Sequence, residues 1–310
     1  MVWFFGILAV LILLLLLICY ICFCMAFKAK PDPCAGQEYP IPPGEVYKPH
    51  RAVMQQWMEK TRQIPYKEFC ITSFDGLKLY GKYYECQPGA PIELMFHGYR
   101  GLAERDLCGG VQRCFRLGRN ALLVDQRTAG KSEGKVISFG INERWDCQSW
   151  VHFMVQEFGP DVRIILTGIS MGAATVMMAS ELPMPENVIG VIADCGYTSP
   201  KEIIIKVIRQ MGLPGWAYFF VKLAARIYGG FDLEAASSIE AMKNCRLPVF
   251  FAHGEADDYV PCQMSLDNYE ACAAPKRLLT VPGAGHGLGY IIAKEDYLRV
   301  LREIEKEYNR

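Results

Sequence analysis

From Trp3 to Phe23 the chain is an almost unbroken run of Leu, Ile, Val and Phe, and no Asp, Glu, Lys or Arg occurs before Lys28. A helix of this composition has no polar face to turn toward water. Residues 1–27 would extend roughly 40 Å at about 1.5 Å per residue, against a hydrocarbon core of about 30 Å. The pattern predicts a transmembrane helix over residues 1–27. A cleaved signal peptide is the competing reading, and it calls for a basic start, a shorter apolar stretch and a small-x-small cleavage site. Here no basic residue precedes the run, and the exit Cys24-Met25-Ala26-Phe27-Lys28-Ala29-Lys30 has no Ala-x-Ala pattern. An uncleaved single-pass anchor is therefore favoured. Lys28 and Lys30 at its C-terminal flank favour a cytoplasmic catalytic domain by the positive-inside rule.

After the anchor the pattern changes twice. Residues 28–65 are rich in proline and glycine as far as Gly44 and are taken as a linker, with a short helix at Ala52 to Arg62. From Tyr66, short β-rich runs alternate with stretches whose apolar residues recur every three or four positions. Phe69–Ser73 and Leu77–Tyr84 flank Asp75-Gly76, a hairpin signal. Ile92–Phe96, Ala121–Val124, Arg163–Thr167, Val188–Ala193, Leu247–Ala252 and Arg277–Val281 are expected as further strands. Leu107–Leu117, Glu143–Glu157, Ala173–Leu182, Cys262–Ala273 and Ala293–Tyr308 are expected as helices. Apolar strands joined by helices indicate an α/β fold, with a mostly parallel central sheet flanked by helices and an antiparallel hairpin at its start. One domain over 66–310 fits this length. Tyr197 to Phe231 is too long for a simple crossover and carries Ile203-Ile204-Ile205, Trp216, Phe219-Phe220 and Leu223. It is expected to be a helical cap insertion over the end of the sheet, in preference to an extra surface helix pair.

Composition narrows the function classes. Lys plus Arg equals Asp plus Glu at 33 each, and no long basic run exists, so no nucleic-acid surface is expected. The 13 cysteines are odd in number and irregularly spaced, unlike a disulfide framework. Cys19 and Cys22 have a C-x-x-C spacing but sit in the apolar helix without a second pair, so a metal role is not expected there.

Gly168-Ile169-Ser170-Met171-Gly172 matches G-x-S-x-G, with a strand pattern before it and a helix pattern after it. Glycines on both sides allow the sharp turn that exposes the serine, and the following helix aims its first free N–H groups at the site. A serine nucleophile needs a base. Of five histidines, His50 lies in the linker, His152 falls on a helical pattern, and His97 and His253 end strands in positions that organise loops. His286, in Gly283-Ala284-Gly285-His286-Gly287 after the last strand, is the candidate base. The orienting acid is sought in His253-Gly254-Glu255-Ala256-Asp257-Asp258-Tyr259-Val260-Pro261, with Asp194 and Asp258 as alternatives. The order Ser, acid, His is the one a nucleophile elbow of this kind uses.

These stations, together with His97-Gly98-Tyr99-Arg100-Gly101, resemble the α/β-hydrolase superfamily over about Tyr66 to Tyr308. The resemblance is nearest to its prolyl-oligopeptidase-like and serine-aminopeptidase-like branch. It implies Asp257 as the triad acid, from the H-G-x-x-D-x-x-V-P pattern, and the N–H groups of Tyr99 and Met171 as the oxyanion hole. It also matches Asp125-Gln126-Arg127-Thr128-Ala129-Gly130-Lys131-Ser132 to a loop that usually reads D-x-R-G-x-G-x-S, with Thr128 where glycine is usual. The expected activity is ester hydrolysis on a small acyl or lipid-like substrate through Ser170, Asp257 and His286, with no cofactor and no metal. A peptidase or aminopeptidase using Glu181 or Glu202 as an amine clamp, an acyl-thioesterase and, more remotely, a non-catalytic binding module are the alternatives.

Overall fold

The computed structural model describes residues 2–308. Its strands are β1 (Tyr66–Thr72), β2 (Lys78–Tyr84), β3 (Ile92–Phe96), β4 (Asn120–Val124), β5 (Ile164–Ile169), β6 (Val188–Asp194), β7 (Val249–Gly254) and β8 (Lys276–Val281). Its helices are α1 (Val2–Ala26), α2 (Arg51–Arg62), α3 (Ala103–Arg116), α4 (Glu143–Phe158), α5 (Met171–Ala179), α6 (Pro200–Gln210), α7 (Tyr218–Ala224), α8 (Ser238–Asn244), α9 (Cys262–Ala271), α10 (Gly289–Ile292) and α11 (Lys294–Glu305). The strands form one sheet in the order β1-β2-β4-β3-β5-β6-β7-β8. The pairs β1–β2 and β2–β4 are antiparallel, and all others are parallel. The expected hairpin opens the sheet, with Thr72 opposite Lys78 and Gly76 at φ 94° in the turn.

Both faces of the sheet are covered, which is why its inner strands are apolar at nearly every position. One face packs Leu94, Leu166, Val191 and Phe251 against Trp150 and Met154 of α4, Val176 and Met177 of α5, and Met242 of α8. The other packs Ile165, Ile192 and Phe250 against Trp57 and Met58 of α2 and Tyr297, Leu298 and Leu301 of α11. α8 lies where the apolar periodicity gives no helix signal; Ser237 caps it by accepting from the Glu240 N–H. α5 begins at Met171, two residues before the apolar period starts.

One charge lies deep in this core. Glu93 on β3 is fully buried and accepts from Arg113 of α3, from Arg119 at 2.6 Å and from Thr167 of β5 at 3.1 Å. Burial alone would push its carboxyl up, but the two guanidinium groups outweigh burial and hold it at about 2. A second network anchors the loop after β4: Arg127 donates to both Asp146 oxygens at 2.7 Å and to Asp75 at 3.0 and 3.2 Å, tying the β1–β2 turn to α4. In that loop Thr128 has φ 76°. A β-branched residue is strained there, which accounts physically for glycine at this place in the loops it resembles.

Residues 28–65 lie against the domain. Phe27 O and Ala29 N pair with Ile137 N and Lys135 O at 2.8 and 2.9 Å, Asp32 bonds Arg105 at 2.9 Å, and Trp57 packs on α3 beside Gly109. Between β6 and α8 the chain makes α6, a 3-10 turn at Gly215–Ala217, α7 and a wide turn at Ala225–Gly229. This insertion sits over Met171 and Ala174 at the start of α5 and also packs on α1.

Candidate active site

The G-x-S-x-G turn joins β5 to α5, with Ser170 between them at φ 57° and ψ −118°. This conformation is costly for a side chain other than glycine, of order 1–3 kcal/mol, and it persists only where the surroundings impose it. They do so by contact. A Cβ on Gly168 would come 2.1 Å from the Gly172 carbonyl oxygen, and one on Gly172 would come 2.1 Å from that of Phe96. The Ser170 N–H is held by Asp194 O at 2.8 Å. Because Met171 is the first residue of α5, its N–H is among the first-turn donors that have no acceptor within the helix.

The loop after β3 runs beside this turn; a Cβ on Gly98 would lie 3.5 Å from Ser170 Cβ. His97 organises that loop. Its Nε2 accepts from Gln126 N at 3.0 Å, which leaves the Nδ1 proton to donate to Gly98 O at 2.8 Å. Tyr99 follows Gly98, so its backbone lies at the same rim. Its side chain reaches the other way: Tyr99 Oη donates to Ala26 O at 2.8 Å, and Arg100 Nη2 donates to Met25 O at 2.8 Å. The loop that carries one expected oxyanion donor thus also satisfies the last carbonyls of α1.

His286 lies in the loop between β8 and α10. Its Nδ1 donates to Asp257 Oδ2 at 2.6 Å. Next to it, a Cβ on Gly287 would come 2.9 Å from Ile169, the residue before Ser170, so the histidine loop is seated on the serine turn. Asp257 is held by more than His286: its Oδ1 accepts from Tyr259 N at 2.8 Å and Val260 N at 2.9 Å. His253 Nε2 lies 3.1 Å from Oδ2 and 2.9 Å from Val260 O, and its Nδ1 lies 2.6 Å from Ser265 Oγ. With Ser265 donating to Nδ1, the His253 proton sits on Nε2 and points at the carboxylate. Burial pushes Asp257 up; hydrogen bonds from His253 and His286 and from backbone N–H groups more than offset it, leaving the carboxyl well below the usual range. Asp257 therefore stays an anion beside His286.

Of the alternative acids, Asp194 is bonded elsewhere and Asp258 is exposed. Asp194 accepts from Tyr297 Oη at 2.8 Å, and burial raises its carboxyl. Asp258 offers its backbone carbonyl to Gln210 at 3.3 Å and to Lys206. Of the two candidate amine clamps, Glu202 bonds Thr198 at the start of its own helix, and Glu181 is exposed. Two further groups border the His286–Asp257 pair: His253, which the sequence marks only as a loop organiser, and Cys195. Cys195, buried at φ 47°, brings its Sγ within 4.8 Å of the His286 and Asp257 ligand atoms. Burial raises that thiol well above its ordinary range, so it stands there neutral. The H-G-x-x-D spacing signals the first, because it sets His253 four residues from Asp257 across one tight turn. Nothing in the local sequence signals the second.

Strand order, the strained serine between β5 and α5, and the histidine loop after the last strand define the class: the chain has the α/β-hydrolase fold. Among solved structures it is similar to the esterase Pf2001 of Pyrococcus furiosus, with a TM-score of 0.66 and 23% identity, covering 86% of this chain and 96% of that one. This likeness is one of fold. Among curated proteins it is 28% identical over 199 residues to the uncharacterized protein YqkD of Bacillus subtilis, covering 62% of this chain and 64% of the relative. It is also 30% identical over 170 residues to the uncharacterized protein YfhR of Escherichia coli, covering 54% and 53%. The chain thus spans between half and two thirds of the length of these relatives. No family model matches it.

Proposed function

We propose that this chain is a membrane-anchored serine hydrolase that cleaves carboxylic esters with apolar acyl groups, using Ser170 as nucleophile, His286 as base and Asp257 as orienting acid. The observation that carries this reading is the 2.6 Å bond from His286 Nδ1 to a multiply held Asp257, in a loop seated on the strained Ser170 turn. In the first step Ser170 Oγ bonds to the ester carbonyl carbon and passes its proton to His286 Nε2. The negative charge moves to the carbonyl oxygen, where the N–H groups of Tyr99 and Met171 bind it. The tetrahedral adduct then collapses: the alcohol leaves with the proton from His286, and the acyl group remains on Ser170. Water repeats the sequence, giving its proton to His286, and releases the acid and the free serine. Asp257 keeps the His286 proton on Nδ1 and stabilises the imidazolium that forms twice per cycle.

The apolar acyl preference is supported by the cluster above the site. Met171, Tyr197, Ile203, Ile204, Tyr218 and Val221 form one buried group with Cys19 and Phe27 of the N-terminal segment. An amine clamp for a peptidase has less support, since Glu202 is bonded to Thr198. The anchor reading rests on α1, whose residues Trp3–Ala26 are long and apolar enough to cross a membrane. Lys28 and Lys30 favour a cytoplasmic domain.

The test is hydrolysis by the full chain in detergent, on p-nitrophenyl esters of rising chain length and on aminoacyl anilides, with Ser170→Ala beside it. Ester turnover should fall about 10⁴-fold or more in the variant, with unchanged thermal unfolding. Rates should rise from acetate to longer acyl chains. A long-chain ester cleaved no faster than acetate would remove the acyl preference, and turnover of anilides ahead of esters would move the assignment to peptidase.

A further inference from the structure

The cap does not stop at the site; it climbs α1. Tyr228 Oη donates to the Leu16 carbonyl at 3.0 Å, and its ring meets Tyr20 at 5.4 Å and Phe23 at 5.9 Å. Phe27 meets Phe231 at 5.3 Å. Leu15, Cys19, Cys22, Phe23 and Ala26 share one apolar cluster with the cap. Cap contact thus covers the helix from about Leu15 to its C-terminal end. A cap fixed along the last turns of a helix that crosses a membrane is held at the membrane face, where its outer surface meets either water or acyl chains.

The outer surface of the cap is suited to acyl chains. Trp216 is 70% exposed, Phe219 58% and Leu213 48%, with Val207, Met211 and Ile227 also exposed. Trp216 and Phe219 both contact the ring of Phe220, at 6.1 and 5.5 Å, so the aromatics form one surface. Clustered exposed apolar groups of this size mark a contact surface, and α7, which carries Phe219, packs directly on α1. The patch is therefore continuous with a helix whose own surface faces lipid. Tyr228 suits the same setting, since a hydroxyl in an apolar seam needs an acceptor and here finds a backbone carbonyl.

We propose that the cap is itself embedded in the bilayer, entering the near leaflet of a phospholipid membrane to the depth of an interfacial helix, roughly 5–10 Å, with Leu213, Trp216 and Phe219 among the acyl chains. The occupant of this surface is lipid. The proposal rests on α1 being a membrane anchor but not on the hydrolase reading. Because the inner side of the cap packs on Met171 and Ala174, an apolar substrate dissolved in that leaflet would meet the site without first crossing water.

The full chain reconstituted in phosphatidylcholine vesicles tests this, with some of the lipid brominated along the acyl chain as a contact quencher of tryptophan. The chain has five tryptophans. The informative set is wild type, Trp3→Phe, Trp216→Phe and the double variant. Trp216 is mostly exposed, so its loss leaves the fold intact, and equal thermal unfolding midpoints check this. Quenching should drop measurably in each single variant and fall to its floor in the double one, with Trp216 shielded from aqueous iodide. Quenching that depends on Trp3 alone, with Trp216 open to iodide, would overturn the embedded cap while keeping the anchor. Quenching that depends on neither would overturn the anchor and the proposal together.

Discussion

Ser170 lies between two layers that handle burial in opposite ways. Below it, the sheet encloses an acid among arginines: Glu93 is fully buried with Arg113 and Arg119. Above it, the cap is apolar on its inner side and keeps Trp216, Phe219 and Leu213 on its outer side. The lower layer holds its buried charge in an ion-paired cluster, Glu93 with Arg113 and Arg119. The upper layer places its large apolar groups at the surface, beside a helix with no charged residue. Under the proposed embedding, the chain meets two solvents, with the Ser170 turn at their boundary. The chemistry depends on the lower layer, because strained backbone and oriented carboxylates need rigid support.

The largest effect expected on this contrast comes from the acid. Asp257→Asn keeps the acceptor for Tyr259 and Val260 but fails to fix the His286 tautomer, so kcat/KM on a p-nitrophenyl ester should fall about 10⁴-fold. Asp194→Asn should cost far less; equal losses would return Asp194 to contention. Next comes the buried charge. Glu93→Gln leaves two arginines without their carboxylate and should destabilise by about 3–5 kcal/mol in urea unfolding, whereas Phe219→Ser in the cap should change the same midpoint in detergent by under about 0.5 kcal/mol. The pH dependence has a definite sign. The folded Glu93 carboxyl, at about 2, lies below the unfolded value of about 4.3. Its contribution is complete above the unfolded value and is lost as pH falls through about 2. The difference between wild type and Glu93→Gln should therefore hold from pH 7 to 5 and shrink below pH 4. The smallest effect is a gain: Thr128→Gly relieves the φ 76° backbone and should stabilise by about 1 kcal/mol, read as a rise in the urea midpoint with activity unchanged. No gain there would mean that Thr128 makes a compensating contact.

Much of this fold is legible in the sequence, for definite reasons. Strands such as Asn120–Val124 and Ile92–Phe96 are short and, Asn120 and Glu93 aside, apolar because both sheet faces are covered, and their ends are marked by glycine or charge. The Ser170 turn is legible because its geometry admits only glycine at 168 and 172. His286 stands out because so few histidines compete with it. Other features were silent. α8 is short, has little apolar periodicity and is held by packing against α5 and α9. The proline-rich stretch from 28 to 65 has the composition of a linker, yet Ile41 and Tyr47 pack on the histidine loop through Ala284 and Leu288.

The sequence by itself determined the alternation that makes the sheet, the apolar helix and the order of serine, acid and histidine, because each is written in local periodicity or in a turn with strict steric demands. Only the tertiary structure decided that Cys195 stands beside His286, that Ile41 and Tyr47 pack on the histidine loop, and that the cap rises along α1. Those outcomes depend on loops from distant parts of the chain meeting at one rim, and no local rule of propensity or spacing encodes such a meeting.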